Sequence, residues 1–479
     1  MTRPLPDGDW PTREAAASSQ LYSPQSLGPV VSLARSWVPA MVPWRATQDG
    51  VVTERNLDWY GRFAAGKPGV LVVEATGIRD VPSGPLLRIG DDRFIPGMRR
   101  LVERVREESQ GETRLLIQLI DFLGVRRRPD PARFFAEFLQ LTDRHRAALA
   151  DSVIHNASDT AVRSHLASLD DESLATVLST RELNDLHYGA RESVNDCHLS
   201  SIAELPSTLP PLFAAASRRA LEAGFDGVEL HYAHAYTMAS FLSRTNTRVD
   251  GYGSSVEGRL RLPLEVYSAV RAAVGDKLSI GCRMLTDEII DGGSRVGDAI
   301  SFATAFSGAG MDFISLSRGG KFDDARQPRI GKAVYPYTGP SGKECMPTIR
   351  IDDDGPFGRN ASDTGIVRAA LRDAGYSTPV VVAGGLCSFS QVEELLHNGT
   401  ADFVGAARQS LADPDWWLRM GQGRGASIRR CAYTNYCEGL DQAHREVTCR
   451  LWDRLPLAEG EGEPDRADDG RRLLPPSMR

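Results

Sequence analysis

Three side chains able to do chemistry fall close together: His231, His234 and Tyr236, in the stretch GFDGVELHYAHAY that begins at Gly224. An apolar run, Val228 to Leu230, delivers the first imidazole and the others follow at once. Two imidazoles and a phenol spaced this way can converge on one bound molecule. Two plainer readings stand beside that one. His231 and His234 could form a zinc pair, although such a site usually needs a third ligand, and Glu229 is expected on the other face of the strand. Alternatively, both rings bond backbone carbonyls and Tyr236 is ordinary packing.

These residues need a strand to carry them and a scaffold to collect what other strands bring. Short apolar runs recur at Trp37–Met41, Val70–Glu74, Leu115–Leu119, Gly227–His231, Leu278–Arg283, Phe313–Leu316, Val380–Ala383 and Phe403–Ala406. Between them lie segments with apolar residues at helical spacing, including Glu54–Ala65, Pro96–Glu108, Leu212–Ala223 and Arg259–Val274. Strands alternating with helices predict a (β/α)8 TIM barrel, in which the residues just past the C-terminal ends of the strands handle ligands. The rhythm breaks once. About 110 residues separate the third and fourth runs, where one βα unit needs roughly 30 to 40. The excess, about 129–193, contains helix-like segments and predicts a helical insertion on the catalytic face, serving either as a lid and pocket wall or as an oligomerisation cap.

The expected organisation is an extended leader at 1–28, a barrel at 29–424, a cysteine-containing extension at 425–455 and a disordered tail at 456–479. The tail is charge-rich and poor in apolar residues. A net charge of −7 argues against a nucleic-acid partner, and the basic cluster Arg126–Arg128 reads as a solvated loop. No apolar run approaches the roughly 20 residues that span a bilayer, and the polar start lacks a signal-peptide core, so no membrane partner and a cytoplasmic location are expected. Seven cysteines in 479 residues are too sparse for a disulfide scaffold.

The stretch from Gly224 to Arg259 resembles the old yellow enzyme (NADH:flavin oxidoreductase) family, with Phe241–Ser243, Asn246, Arg248, Asp250, Tyr252, Gly253, Ser255 and Glu257 continuing the family pattern. Ala235 stands where that family usually has Gly. The resemblance implies an FMN site on Pro39, Ala40, Met41 and Val42 after the first strand, Ala75 after the second and Gln118 on the third. Arg283 would lie beneath the flavin N1 and O2. Gly384, Gly385, Ala407 and Arg408 would hold the phosphate. Val42 replaces a Thr or Cys common in relatives, and Ile120-Asp121 replaces their Trp-His.

Near the C-terminus, Cys431, Thr434, Cys437 and Cys449 resemble the iron-sulfur segment of the 2,4-dienoyl-CoA reductase and trimethylamine dehydrogenase branch, with Thr434 in place of one cysteine. A [4Fe-4S] cluster takes four thiolates, so Cys431, Cys437 and Cys449 imply either a cluster completed by another ligand such as His444, or a remnant. No Gly-x-Gly-x-x-Gly fingerprint accompanies them, and FAD on this chain is not expected.

The resemblance implies an FMN-dependent reductase of an activated C=C bond in an enone or acyl thioester, with NAD(P)H as donor and a homo-oligomeric state. His231 and His234 would hold the substrate carbonyl and Tyr236 would supply a proton. The segment Arg318–Lys343 would border the substrate entrance, or be a surface loop. Alternatives are a dehydrogenase passing electrons to a partner protein, a flavin-dependent isomerase, or a barrel that serves as a binding protein without cofactor.

Overall fold

A computed structural model describes residues 8–80, 84–122, 131–150, 154, 156–188, 192–234, 236–289, 292–319, 357–443, 445–457 and 462–476. The chain opens with the short helix Arg13–Ala17 and a hairpin of β1 (Gln25–Leu27) and β2 (Val30–Ser32), where an extended leader was expected. Eight parallel strands follow: β3 (Ser36–Val38), β4 (Val70–Gly77), β5 (Arg114–Ile120), β6 (Gly227–Tyr232), β7 (Ser279–Leu285), β8 (Phe313–Ser317), β9 (Val380–Ala383) and β10 (Phe403–Gly405). They close into a barrel in sequence order, with β10 pairing to both β9 and β3. The predicted TIM barrel is therefore the observed one.

The barrel's lower layer is apolar. Leu27 of the hairpin packs with Trp37, Val70, Val72, Leu116, Phe313, Val381 and Phe403, which come from alternate positions along their strands. Trp37 lies 5.2 Å from Phe313 and 5.6 Å from Phe403 between ring centroids. Gly281 makes room for this layer, since a Cβ there would come within 2.5 Å of the Phe313 ring. The strands' other faces meet the outer helices in a second, larger core.

Helix Leu205–Ala223 starts before the expected Leu212, despite Pro210 and Pro211 inside it. Burial of Leu205, Leu209 and Phe213 at helical spacing offsets the backbone bonds that proline cannot donate. The expected insertion after β5 holds short helices, among them Asp159–Ser168, Asp171–Val177 and Thr180–Tyr188. Ser158 and Asp170 cap the first two, and Phe134, Phe135, Val162, Leu166, Leu174 and Leu186 give the insertion a core of its own.

The C-terminal tail departs from expectation. Residues 462–476 fold back onto the body, burying Ala467, Leu473, Arg471 and Arg472. The Arg45 guanidinium donates to the Leu473 carbonyl at 2.6 Å, and Arg471 donates to the Glu446 carbonyl at 2.6 Å. A composition that reads as solvated charge is here charge bonded to backbone oxygen. Among the described residues, no helix is long and apolar enough to cross a membrane.

Candidate active site

The C-terminal ends of the strands surround a cavity of about 270 Å³. Pro39, Ala40, Met41, Val42, Ala75, Gln118, His231, His234, Arg283, Gly384, Gly385, Ala407 and Arg408 all line it, so residues far apart in sequence meet in one cavity. Tyr236 stands just behind, its ring 4.9 Å from that of His231 and 5.4 Å from that of Phe122.

β6 aims Gly227, Glu229 and His231 into the barrel, because side chains two apart share a face. This corrects the expectation for Glu229, which lies on the same face as His231 and accepts a hydrogen bond from Gln118 Nε2 at 2.5 Å. Burial pushes the Glu229 carboxyl above its ordinary range, although the Arg283 cation opposes it. Arg283 donates to Ser315 Oγ at 3.0 Å and to Ser317 Oγ at 3.2 Å. These contacts hold a cation at mid-barrel.

His231 Nε2 and His234 Nδ1 lie 3.4 Å apart, and His234 Nε2 is 2.8 Å from Ser317 Oγ. His234 holds a left-handed backbone (φ 57°), uncommon outside glycine, which turns its ring back toward His231. Burial, with the Arg283 cation nearby, lowers the His231 pKa to about 3. The same causes, together with His231, push His234 well below its ordinary value. Both rings are neutral at ordinary pH. The zinc reading finds no support, because no cluster of three or more His, Cys, Asp or Glu able to hold a metal ion occurs among the described residues.

Also on the cavity wall, Gly384 (φ 131°) and Gly385 (φ 69°) follow β9. A Cβ on Gly384 would press to 2.8 Å from Asn360 Nδ2, which itself donates to the Ala383 carbonyl at 2.6 Å. Arg408 donates to Asn435 Oδ1 at 2.9 Å, lies 3.8 Å from the Glu438 carboxylate and sits over the Tyr433 ring. Burial raises the Glu438 pKa against the pull of Arg408 and Arg359.

Sequence reasoning missed Ser317, Asn360, Glu438 and Asp441, which also line the cavity. Period-two spacing from Phe313 through Ser315 would have placed Ser317 on the inner face; the other three carried no comparable signal. Ala235, Gly320–Lys343 and His444, singled out above, lie outside the described residues, as does the Arg126–Arg128 cluster.

The C-terminal cysteines line a second cavity of about 320 Å³ with Thr434, sharing Arg408, Leu411, Tyr433 and Cys437 with the first. Burial raises the pKa of all three thiols, that of Cys449 to about 11. With a hydroxyl in place of the fourth thiol and no convergence on a metal position, the described residues do not fit a four-thiolate cluster.

Fold and site together define a (β/α)8 barrel with a cavity at the C-terminal ends of its strands, lined by Arg283, Arg408 and the paired imidazoles of His231 and His234. Residues 208–426 match the model of the NADH:flavin oxidoreductase / NADH oxidase family. The chain is 27% identical over 420 residues to an NADH oxidase of Thermoanaerobacter brockii, covering 87% of this chain and 52% of the relative. An NADPH dehydrogenase of Bacillus licheniformis is 26% identical over 406 residues, covering 84% and 93% respectively. The 2-naphthoyl-CoA reductase structure superposes with a TM-score of 0.64 at 17% identity, over 90% of this chain and 56% of that one. The chain thus spans about half the length of the first curated relatives it matches.

Proposed function

We propose that this barrel binds FMN and reduces an activated C=C bond in an α,β-unsaturated carbonyl compound or acyl thioester, with NAD(P)H as the donor. The cavity suits FMN on its own terms. Two positive-φ glycines, Gly384 and Gly385, put bare backbone at the cavity wall, and Asn360 Oδ1 is buried beside Gly384 without a hydrogen-bond partner. Gln118 can donate to and accept from a ring edge, and Arg283 offers fixed positive charge where a reduced ring carries negative charge. Bound there, FMN would supply the hydride.

The chain's own residues do the rest. His231 and His234 hydrogen-bond the substrate carbonyl oxygen and favour the charge that develops on it. Being neutral, they polarise that oxygen without giving up a proton. Tyr236, against His231, protonates the α-carbon. The observation that carries this reading is the approach of the two imidazoles to 3.4 Å at the cavity wall, with Tyr236 alongside.

The test is an anaerobic visible spectrum of FMN-reconstituted protein, with NADH or NADPH added and then a cyclic enone. Bleaching by the nucleotide and recovery with the enone are expected. Bleaching without recovery by any enone or enoyl thioester would refute C=C reduction and favour electron delivery to a protein partner.

A further inference from the structure

Asp121, the first residue past β5, and Thr237, the first residue of the helix Thr237–Leu242, are both buried and have no part in the reductase reading. Thr237 Oγ1 lies 2.6 Å from Asp121 Oδ2 and 3.1 Å from the Asp121 carbonyl oxygen. Both acceptors belong to one residue, so the hydroxyl is tied to Asp121 whichever of them takes its hydrogen. Asp121 Oδ1 accepts from Arg79 Nε at 2.5 Å, which supplies the counter-charge that a buried carboxylate needs.

The neighbours of this contact in the chain are two rings in contact with each other. Phe122 follows Asp121, Tyr236 precedes Thr237, and their rings meet edge to face at 5.4 Å. The hydrogen bond and the ring contact therefore close a small loop that joins the end of β5 to the turn after β6. That turn is irregular. His234 has its left-handed backbone there, and the Tyr236 amide reaches the Ala233 carbonyl only at 3.5 Å, long for a hydrogen bond. Tyr236 itself is extended (φ −74°, ψ 176°) and makes no side-chain cap to the helix that follows.

We propose that Asp121 and Thr237 are positioning residues: their hydrogen bond clasps Phe122 against Tyr236 and so sets where the phenol stands beside His231. The proposal rests on the reductase reading for what the phenol does. In that step the Tyr236 O–H bond breaks as a C–H bond forms at the α-carbon, the hydride having gone to the β-carbon, and water returns the proton to the phenolate. A proton donor carried on a turn works only if the turn is held, because proton transfer is lost over displacements of about 1 Å.

Two measurements test it. In FMN-loaded protein, with the two half-reactions followed separately by anaerobic stopped flow, Thr237→Val should slow flavin reoxidation by a cyclic enone roughly 10- to 100-fold while reduction by NAD(P)H, which takes no proton from Tyr236, stays within about threefold. Thr237→Ser should restore reoxidation, and Thr237→Ala, which leaves room for water at Asp121, should show the same split as Thr237→Val. Equal slowing of both half-reactions, or of neither, would overturn the proposal. In ¹³C-tyrosine NMR of the full chain without FMN, with Tyr236 assigned through Tyr236→Phe, the Tyr236 ring signal should move in Thr237→Val and stay in place in Thr237→Ser; an unmoved signal in Thr237→Val would also overturn it. If the signal moves as expected but no enone reoxidises the wild-type flavin, the reductase reading fails while the clasp stands.

Discussion

The buried imidazole of His231 sets a measurable limit on acid stability. Its pKa falls from an ordinary 6.5 to about 3 on folding. Between those values only the unfolded chain takes up the proton, so stability is lost as pH falls from about 6.5 toward 3. At pH 5 the unfolded side chain gains about 1.5 pH units of proton binding, or about 2 kcal/mol at 1.36 kcal/mol per unit. His231 is 3% exposed, so solvent screening removes little of this. In His231→Asn a neutral amide replaces the imidazole and that term disappears. Urea unfolding of the FMN-free chain, followed by tryptophan fluorescence at pH 8 and pH 5, gives the stability lost between the two. The other titrating groups contribute to both proteins and cancel in the difference. The variant should lose about 2 kcal/mol less than wild type on going to pH 5. Equal losses would refute the depressed pKa, and with it the neutral-donor role of His231. His234→Asn should act in the same direction.

The remaining predictions concern the cavity wall around Arg408 and the tail. Gly384→Ala forces a left-handed backbone on a residue whose Cβ would collide with Asn360, and should weaken FMN binding by about 1 to 3 kcal/mol, read by fluorescence titration. Glu438→Gln removes a buried carboxyl 3.8 Å from Arg408 and should tighten FMN about tenfold in the same assay; weaker binding would show that Glu438 positions Arg408 rather than competes for it. Deleting residues 462–479 takes the Leu473 carbonyl from the buried Arg45 and should destabilise the fold by about 3 kcal/mol or more in urea unfolding.

The barrel was legible because each strand is a short apolar run, and a run buried on both faces leaves the same trace wherever it occurs. His231, Arg283 and Gln118 were legible because they sit at the ends of such runs. Glu229 was misplaced although period-two alternation already assigns it to the face of His231. Ser317 reaches His234 across 83 residues of chain, and no local pattern announces a contact of that range. The tail was misread for a different reason. Arg471 and Arg472 look solvated in a count of charges, but backbone carbonyls can bury a guanidinium, and composition does not register where those carbonyls will be.

The aromatic layer under the barrel has a consequence for how this protein can change. Trp37, Phe313 and Phe403, stacked on Leu27, hold the lower half shut without touching the cavity, so the two halves answer to different demands. A library of random substitutions should sort along the barrel axis: low positions would kill expression and leave specificity alone, while high positions such as Val42, Ser317 and Tyr433 would alter selectivity in protein that still accumulates. That separation lets one scaffold be retuned to a new acceptor by few changes, all at the same end.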